Sequence, residues 1–184
     1  MRFAFGAAAV AAFATGALAT TTVFSNEAAF VAQLDGPFLD EDFSGLAPGL
    51  AAGPLTFADN GFDATATAVE SPTDGSGGTQ EFFNDPGLLT LNSATDAIRF
   101  DFSPNTTAFG GVFLATDIDF LPISGFDVIV TLNDGTSEVI TTQTGNEFVG
   151  FVNLGGISSV VIDGPDGADL TPNWPAADSL IVGA

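Results

Sequence analysis

The stretch FDVIVTLNDGTSEVITTQ, Phe126 to Gln143, constrains the fold more than any other part of the chain. Two runs rich in β-branched residues straddle Asn133-Asp134-Gly135-Thr136. An Asp-Gly step in so short a connection supplies the positive backbone angles of a tight hairpin. The same grammar recurs along the chain. Ile98, Phe100 and Phe102 alternate with Arg99 and Asp101, the period of a strand with one face toward a core. LTF and FDATATAV flank an Asp59-Asn60-Gly61 turn, and LLTL, AFGGVFLATD, EFVGFV, ISSVVID and SLIV follow as further short runs. Gly110-Gly111, inside an otherwise good strand, predicts a bulge or a close backbone approach.

One segment departs from this period. In SNEAAFVAQL, Ser25 to Leu34, the residues Ala28, Phe30, Val31 and Leu34 recur at helical spacing. Ser25 is the expected cap, and Glu27 favours the helix dipole from the first turn. Ten or so strands and one helix predict an all-β protein, a jelly-roll-like antiparallel β-sandwich with one short N-terminal helix. Neither an internal repeat nor a domain boundary interrupts the pattern.

The opening MRFAFGAAAVAAFATGALA has one positive charge, a short apolar stretch and a small-residue ending. This is the pattern of a secretory signal peptide over residues 1–19, with cleavage before Thr20. It is too short for a membrane span of about 20 residues. Residues 20–184 then form a single sandwich domain, secreted and extracellular. The end at Ala184 predicts a freely released protein, or a truncated chain, rather than an anchored one.

The chain has 23 acidic residues and two basic ones, Arg2 and Arg99, with no His and no Cys. Without the signal peptide the formal charge is 1 − 23 = −22, because every acid lies after residue 19. Such a surface repels phosphate backbones and anionic membranes, so nucleic acid is excluded as a partner. It suits hard cations, although most of the acids are accounted for by solubility alone. A domain of this size manages without disulfides because its core suffices. Sixteen of the 19 Phe fall after residue 19 and, with Val, Ile and Leu, supply that core.

TVFSNEAAFVAQLDGPFLDEDFSGL, IRFDFSPNTTAFGGVF, NDGT, FVGFV with ISSVVI, and ADSLIVG occur in that order. Together they resemble a family of secreted bacterial β-sandwich proteins of the PEP-CTERM-associated type. The resemblance implies export and a link to extracellular matrix or exopolysaccharide. It departs from the family in one respect, because no Pro-rich motif, apolar span and basic cluster follow the last strand.

Catalytic triads cannot be built without His or Cys, and zinc of the ordinary N/S type is excluded with them. No Lys is present for a Schiff base and no Tyr for a phenolic acid. GSGG lacks the lysine and the strand–turn–helix setting of a phosphate loop. A carboxylate pair of the glycosidase or lyase kind is the remaining enzyme option, and no acid stands in a recognisable setting for it. The expectation is therefore a non-enzymatic module.

Calcium is the better-supported chemistry, since it takes six to eight oxygens from clustered acids and carbonyls. The chain is similar to jelly-roll carbohydrate-binding modules in having acids near the first strands and an Asp at the last. That likeness implies a calcium held by Asp40, Glu41 and Asp42 together with Asp178. Asp163, Asp166 and Asp169 form a second acidic group in DGPDGAD, more simply a solvated turn. Asp117 and Asp119 form a third, alternate residues on one strand face and surface by default. Trp174, the only Trp, lies between prolines in TPNWPAAD. It is either a sugar-stacking platform or a plug for the end of the sandwich. Asn105-Thr106-Thr107 is a glycosylation sequon by chance. The expected partner is an extracellular polysaccharide, with self-association through open strand edges as the alternative.

Overall fold

The structure, a computed structural model, describes residues 20–74, 78–165 and 172–184. The expected signal peptide, residues 1–19, lies outside the described residues, as do Asp166 and Asp169. The strands are β1 (Thr22–Phe24), β2 (Leu39–Glu41), β3 (Gly49–Ala52), β4 (Leu55–Asp59), β5 (Phe62–Glu70), β6 (Glu81–Asp85) and β7 (Leu88–Leu91). They continue as β8 (Asp96–Phe102), β9 (Ala108–Thr116), β10 (Asp127–Leu132), β11 (Ser137–Thr141), β12 (Phe148–Val152), β13 (Ser159–Asp163) and β14 (Trp174–Gly183). Among the described residues a single helix, α1 (Glu27–Val31), lies between β1 and β2.

The strands form two antiparallel sheets packed as a sandwich. One has eight strands, in the order β1-β12-β9-β14-β7-β6-β3 with β2 also paired to β14. The other has six, in the order β11-β10-β13-β8-β5-β4. From β8 onward the chain alternates between them: β9, β12 and β14 enter the first sheet, while β10, β11 and β13 return to the second. The expected all-β sandwich with one helix is therefore what forms.

The core lies between the sheets, where the inward residues of each strand meet. Phe100, Phe109, Phe113 and Phe151 are fully buried there with Ile98, Val130, Val160 and Leu180. Phe109 stacks on Phe113 at 5.6 Å and tilts against Phe102 at 5.3 Å. Both expected tight turns form. Asn60 and Gly61 each have positive φ, as a two-residue primed turn requires, and β4 pairs with β5 across them. β10 pairs with β11 from Asp127 opposite Thr141 to Thr131 opposite Ser137.

The helix differs in detail from the expectation. It covers five residues and is capped by Asn26, whose side chain accepts a hydrogen bond from the Ala29 amide at 2.9 Å. Ser25 stands one residue too early, because β1 holds the chain extended through Phe24. Phe30 anchors α1 on the outer face of the eight-stranded sheet, packed with Ala108 and Ile181.

The segment between β5 and β6 is tied down at its far end by a buried carboxyl. Asp96 Oδ2 accepts from the Gln80 amide at 2.7 Å, and its Oδ1 is buried with no hydrogen-bond partner among the described residues. Burial pushes the Asp96 carboxyl up, with the charge of Glu70 adding to it against the Gln80 and Thr79 amides. An acid whose folded pKa exceeds its unfolded one holds its proton more tightly when folded. Stability therefore falls as pH rises from the unfolded value of 3.8 through the raised folded value. In that window the urea midpoint of the wild type is expected to decline more steeply than that of Asp96→Asn. Equal slopes would remove Asp96 as the cause.

Candidate functional site

The last strand carries an irregularity at the residue that the sequence singles out. Ala177 lies opposite Phe113 and Ser179 opposite Val112, so Asp178 is an extra residue with no ladder partner. Asp178 does not open β14, as expected from the sequence. It is a bulge in the middle of a ten-residue strand. The ladder adapts around it, with the Val112 amide donating to Ser179 Oγ at 3.2 Å. Gly111 makes the bulge sterically possible, because a Cβ there would lie 2.3 Å from the Ser179 carbonyl oxygen. The glycine pair thus marks a close backbone approach, and the bulge sits on the strand facing it.

β2 brings the N-terminal acids to the same place. It pairs with β14 so that Leu180 lies opposite Glu41 and Ile181 opposite Asp40. Asp42, next along the chain, continues from β2 toward the bulge. Partial enclosure in the cleft raises the Asp178 carboxyl, and the Asp42 charge raises it further. Asp42 itself is held low by hydrogen bonding to Ser44, whose amide donates to Oδ1 at 3.0 Å. Glu41 Oε1 instead accepts from the Phe43 amide at 2.8 Å, and Asp40 stands exposed on β2. The structure therefore brings Asp42 and Asp178 together, without Asp40 or Glu41 completing a set. Among the described residues, no group of three or more acids lies close enough to hold a metal ion.

Asp178 lines a cleft of about 280 Å³ on the outer face of the eight-stranded sheet. Leu88 and Leu114 form its floor, clustered with Ala176 beneath, and Phe120 packs against them. One wall is the turn Pro86-Gly87, and another is the segment Thr144-Gly145-Asn146. That second wall is fixed by Glu147, whose Oε1 accepts from the Thr144 amide at 2.7 Å and whose Oε2 accepts from the Gly145 amide at 3.0 Å. Burial alone pushes the Glu147 carboxyl up, but these donors outweigh it and hold the group low.

Phe120 is the aromatic member of the cleft. Its ring stacks on Phe83 with centroids 4.2 Å apart and planes 14° from parallel. Its φ is +60°, rare for a bulky residue, and the loop that enforces this is organised by Asp117. Asp117 Oδ1 accepts from the amides of Asp119 at 2.9 Å and Leu121 at 3.0 Å. The expectation that Asp117 and Asp119 share a strand face is thus corrected. β9 ends at Thr116, and both acids belong to the turn that presents Phe120. The surrounding surface is apolar, with Leu50, paired opposite Phe83, 64% exposed and Leu121 61% exposed.

Trp174 begins β14 rather than sitting in a loop, because it pairs with Thr116 of β9. It is half-buried and packs against the main core, with Thr116 Oγ1 donating to its carbonyl at 3.2 Å. Asp163 ends β13, buried, with Thr73 Oγ1 donating to its Oδ2 at 2.6 Å.

The sequence did not single out Phe83, Phe120 or Asn146. Nineteen Phe share the chain, and only the turn chemistry of Asp117 and Pro122 around Phe120 sets that ring apart from the core aromatics. Comparison of the chain with protein-family models, with curated proteins and with solved structures finds no match.

Proposed function

We propose that this protein is a secreted, non-enzymatic β-sandwich module of an extracellular matrix or cell surface, and that it binds a glycan in the cleft beside Asp178. One observation carries the reading: Phe120, its ring stacked on Phe83, lines an open cleft together with a carboxylate and an amide, Asp178 and Asn146. Sugar rings have an apolar face that packs on aromatic carbon and a rim of hydroxyls that hydrogen-bond to carboxylates and amides. Phe120 supplies the first kind of contact, while Asp178 and Asn146 supply the second. The signal-like N-terminus and the family resemblance support the extracellular setting. With a charge near −22, neutral polymers are favoured over anionic ones unless a cation bridges them.

Calcium fits this reading as a ligand of Asp42 and Asp178, completed by carbonyls or by the sugar itself. Two carboxylates are fewer than a closed all-protein site uses.

Affinity electrophoresis against neutral and acidic polysaccharides, with calcium and with EDTA, tests the proposal. A neutral polysaccharide is expected to retard the protein. Phe120→Ala is expected to weaken that binding roughly tenfold, about 1.4 kcal/mol, and Asp178→Asn by a smaller factor. If calcium occupies the bulge, it raises the wild-type melting temperature by mass action and leaves that of Asp178→Asn unchanged. Absence of retardation by every polysaccharide in both conditions would remove glycan binding.

A further inference from the structure

The outer face of the six-stranded sheet holds a separate cavity of about 370 Å³. Pairing of β10 with β13 sets Ile129 opposite Asp163 and Thr131 opposite Val161, and these outward residues form its floor. Pro72 and Thr73, from the segment after β5, form its wall. Asp163 is the charged member of this lining and is only 2% exposed. Its Oδ2 accepts from Thr73 Oγ1 at 2.6 Å, while its Oδ1 is buried with no hydrogen-bond partner among the described residues.

A carboxyl withdrawn from water keeps its proton unless a countercharge reaches it, and among the described residues none does. Of the chain's two basic residues, Arg2 lies outside the described residues. Arg99 is engaged with Asp101, its Nη2 lying 2.7 Å from Oδ1. Asp74, in the same segment as Thr73, adds negative charge. Burial first, and then that charge, push the Asp163 carboxyl up against the hydroxyl donors Thr73 and Ser71. A cation brought from outside would supply that countercharge. Its shape follows from the walls: Ile129, Val161 and Pro72 are apolar, whereas a hard metal ion wants at least six oxygens. An ammonium group on a hydrocarbon stem satisfies both requirements.

We propose that this cavity binds an alkylammonium group. The nitrogen donates to Asp163 Oδ1, with the Thr73 and Thr131 hydroxyls beside it. The stem packs on Ile129, Val161 and Pro72. The strongly negative protein concentrates such cations at its surface.

The probe is n-butylammonium, with n-butanol as the neutral analogue of equal length, each titrated into the folded protein and followed by amide chemical shifts. Saturable shifts at residues of β10 and β13 are expected for n-butylammonium, with n-butanol at least about tenfold weaker, the margin of a charge-assisted hydrogen bond. Asp163→Asn is expected to erase that preference. Val161→Phe, which fills the cavity and keeps the carboxylate, is expected to abolish binding of both, so the test survives if the first variant fails to fold. Equal binding of amine and alcohol, an undiminished preference in Asp163→Asn, or no saturation in the wild type would overturn the proposal. Displacement of n-butylammonium by equimolar calcium would also overturn it and reassign Asp163 to a metal.

Discussion

Phe30→Ala is expected to cost about 3–5 kcal/mol of folding stability, the range for a large buried aromatic cut to alanine. The effect is large because a five-residue helix has almost no stability of its own. α1 stays on the sheet through its one fully buried side chain, Phe30. That ring lies between Phe24, at 6.0 Å, and Phe148, at 5.5 Å, above the backbone of two neighbouring strands. The room for it comes from glycine. A Cβ at Gly150 would lie 2.6 Å from the ring, and one at Gly110 would lie 3.0 Å from it. Gly110 and Gly150 face each other across β9 and β12, so together they make a floor without side chains. A chain of this length loses about 2–4 °C of melting temperature per kcal/mol, so a fall of roughly 10 °C is expected in calorimetry. Hydrogen exchange is expected to show the amides of β1 and α1 losing protection first. Gly150→Val is expected to reproduce the result by expelling the ring from the other side. An unchanged melting curve in both variants would show that α1 is held some other way.

Gly111→Ala is the second large effect, and it acts on the bulge. The added Cβ would meet the Ser179 carbonyl oxygen at 2.3 Å and the Phe113 ring at 2.8 Å. The ring can tilt, but the carbonyl belongs to the strand that carries Asp178. Relief requires β14 to move away from β9, the most extensive pairing in the eight-stranded sheet. A loss of about 3 kcal/mol is expected, the upper part of the usual overpacking range, measured by urea unfolding. Glycan retardation is expected to weaken even where the variant remains folded, since Asp178 moves with the bulge. Gly45→Ala is the matching control: nothing lies within 4 Å of its Cβ position, and a change within about 0.5 kcal/mol is expected. Similar stabilities for the two variants would show that Gly111 does not set the bulge.

The two glycine effects show how much of the site was readable. Gly110-Gly111 could be flagged from the sequence because glycine inside a strand weakens it without return unless backbone or ring must come close. What comes close could not be read. One glycine serves Phe30 and its neighbour serves Ser179, on opposite faces of one strand. Asp178 was likewise visible as a lone acid before an apolar run. It read as a strand opener because AADSLIV gives no local sign that pairing has already begun at Trp174. The bulge is a property of two strands in register, and a single strand's pattern does not contain it. Asp117 and Asp119 failed in the same way. Their spacing fits strand alternation equally well, and the turn appears only where Pro122 bridges back to Thr116.

The sequence by itself determined what acts over a few residues: the period-two alternation that makes an all-β chain, the Asn-Gly and Asp-Gly turns, and the helix carried by Phe30. It also determined the strongly negative charge and the absence of His, Cys, Lys and Tyr. Only the tertiary structure decided which distant residues meet. It placed Asp42 rather than Asp40 or Glu41 beside Asp178, set Phe120 on Phe83 at the mouth of the cleft, and closed a segment over Asp163. The physical reason is that such contacts join residues far apart in the chain. They depend on strand order and register, and many side-chain patterns of the same period satisfy these equally well.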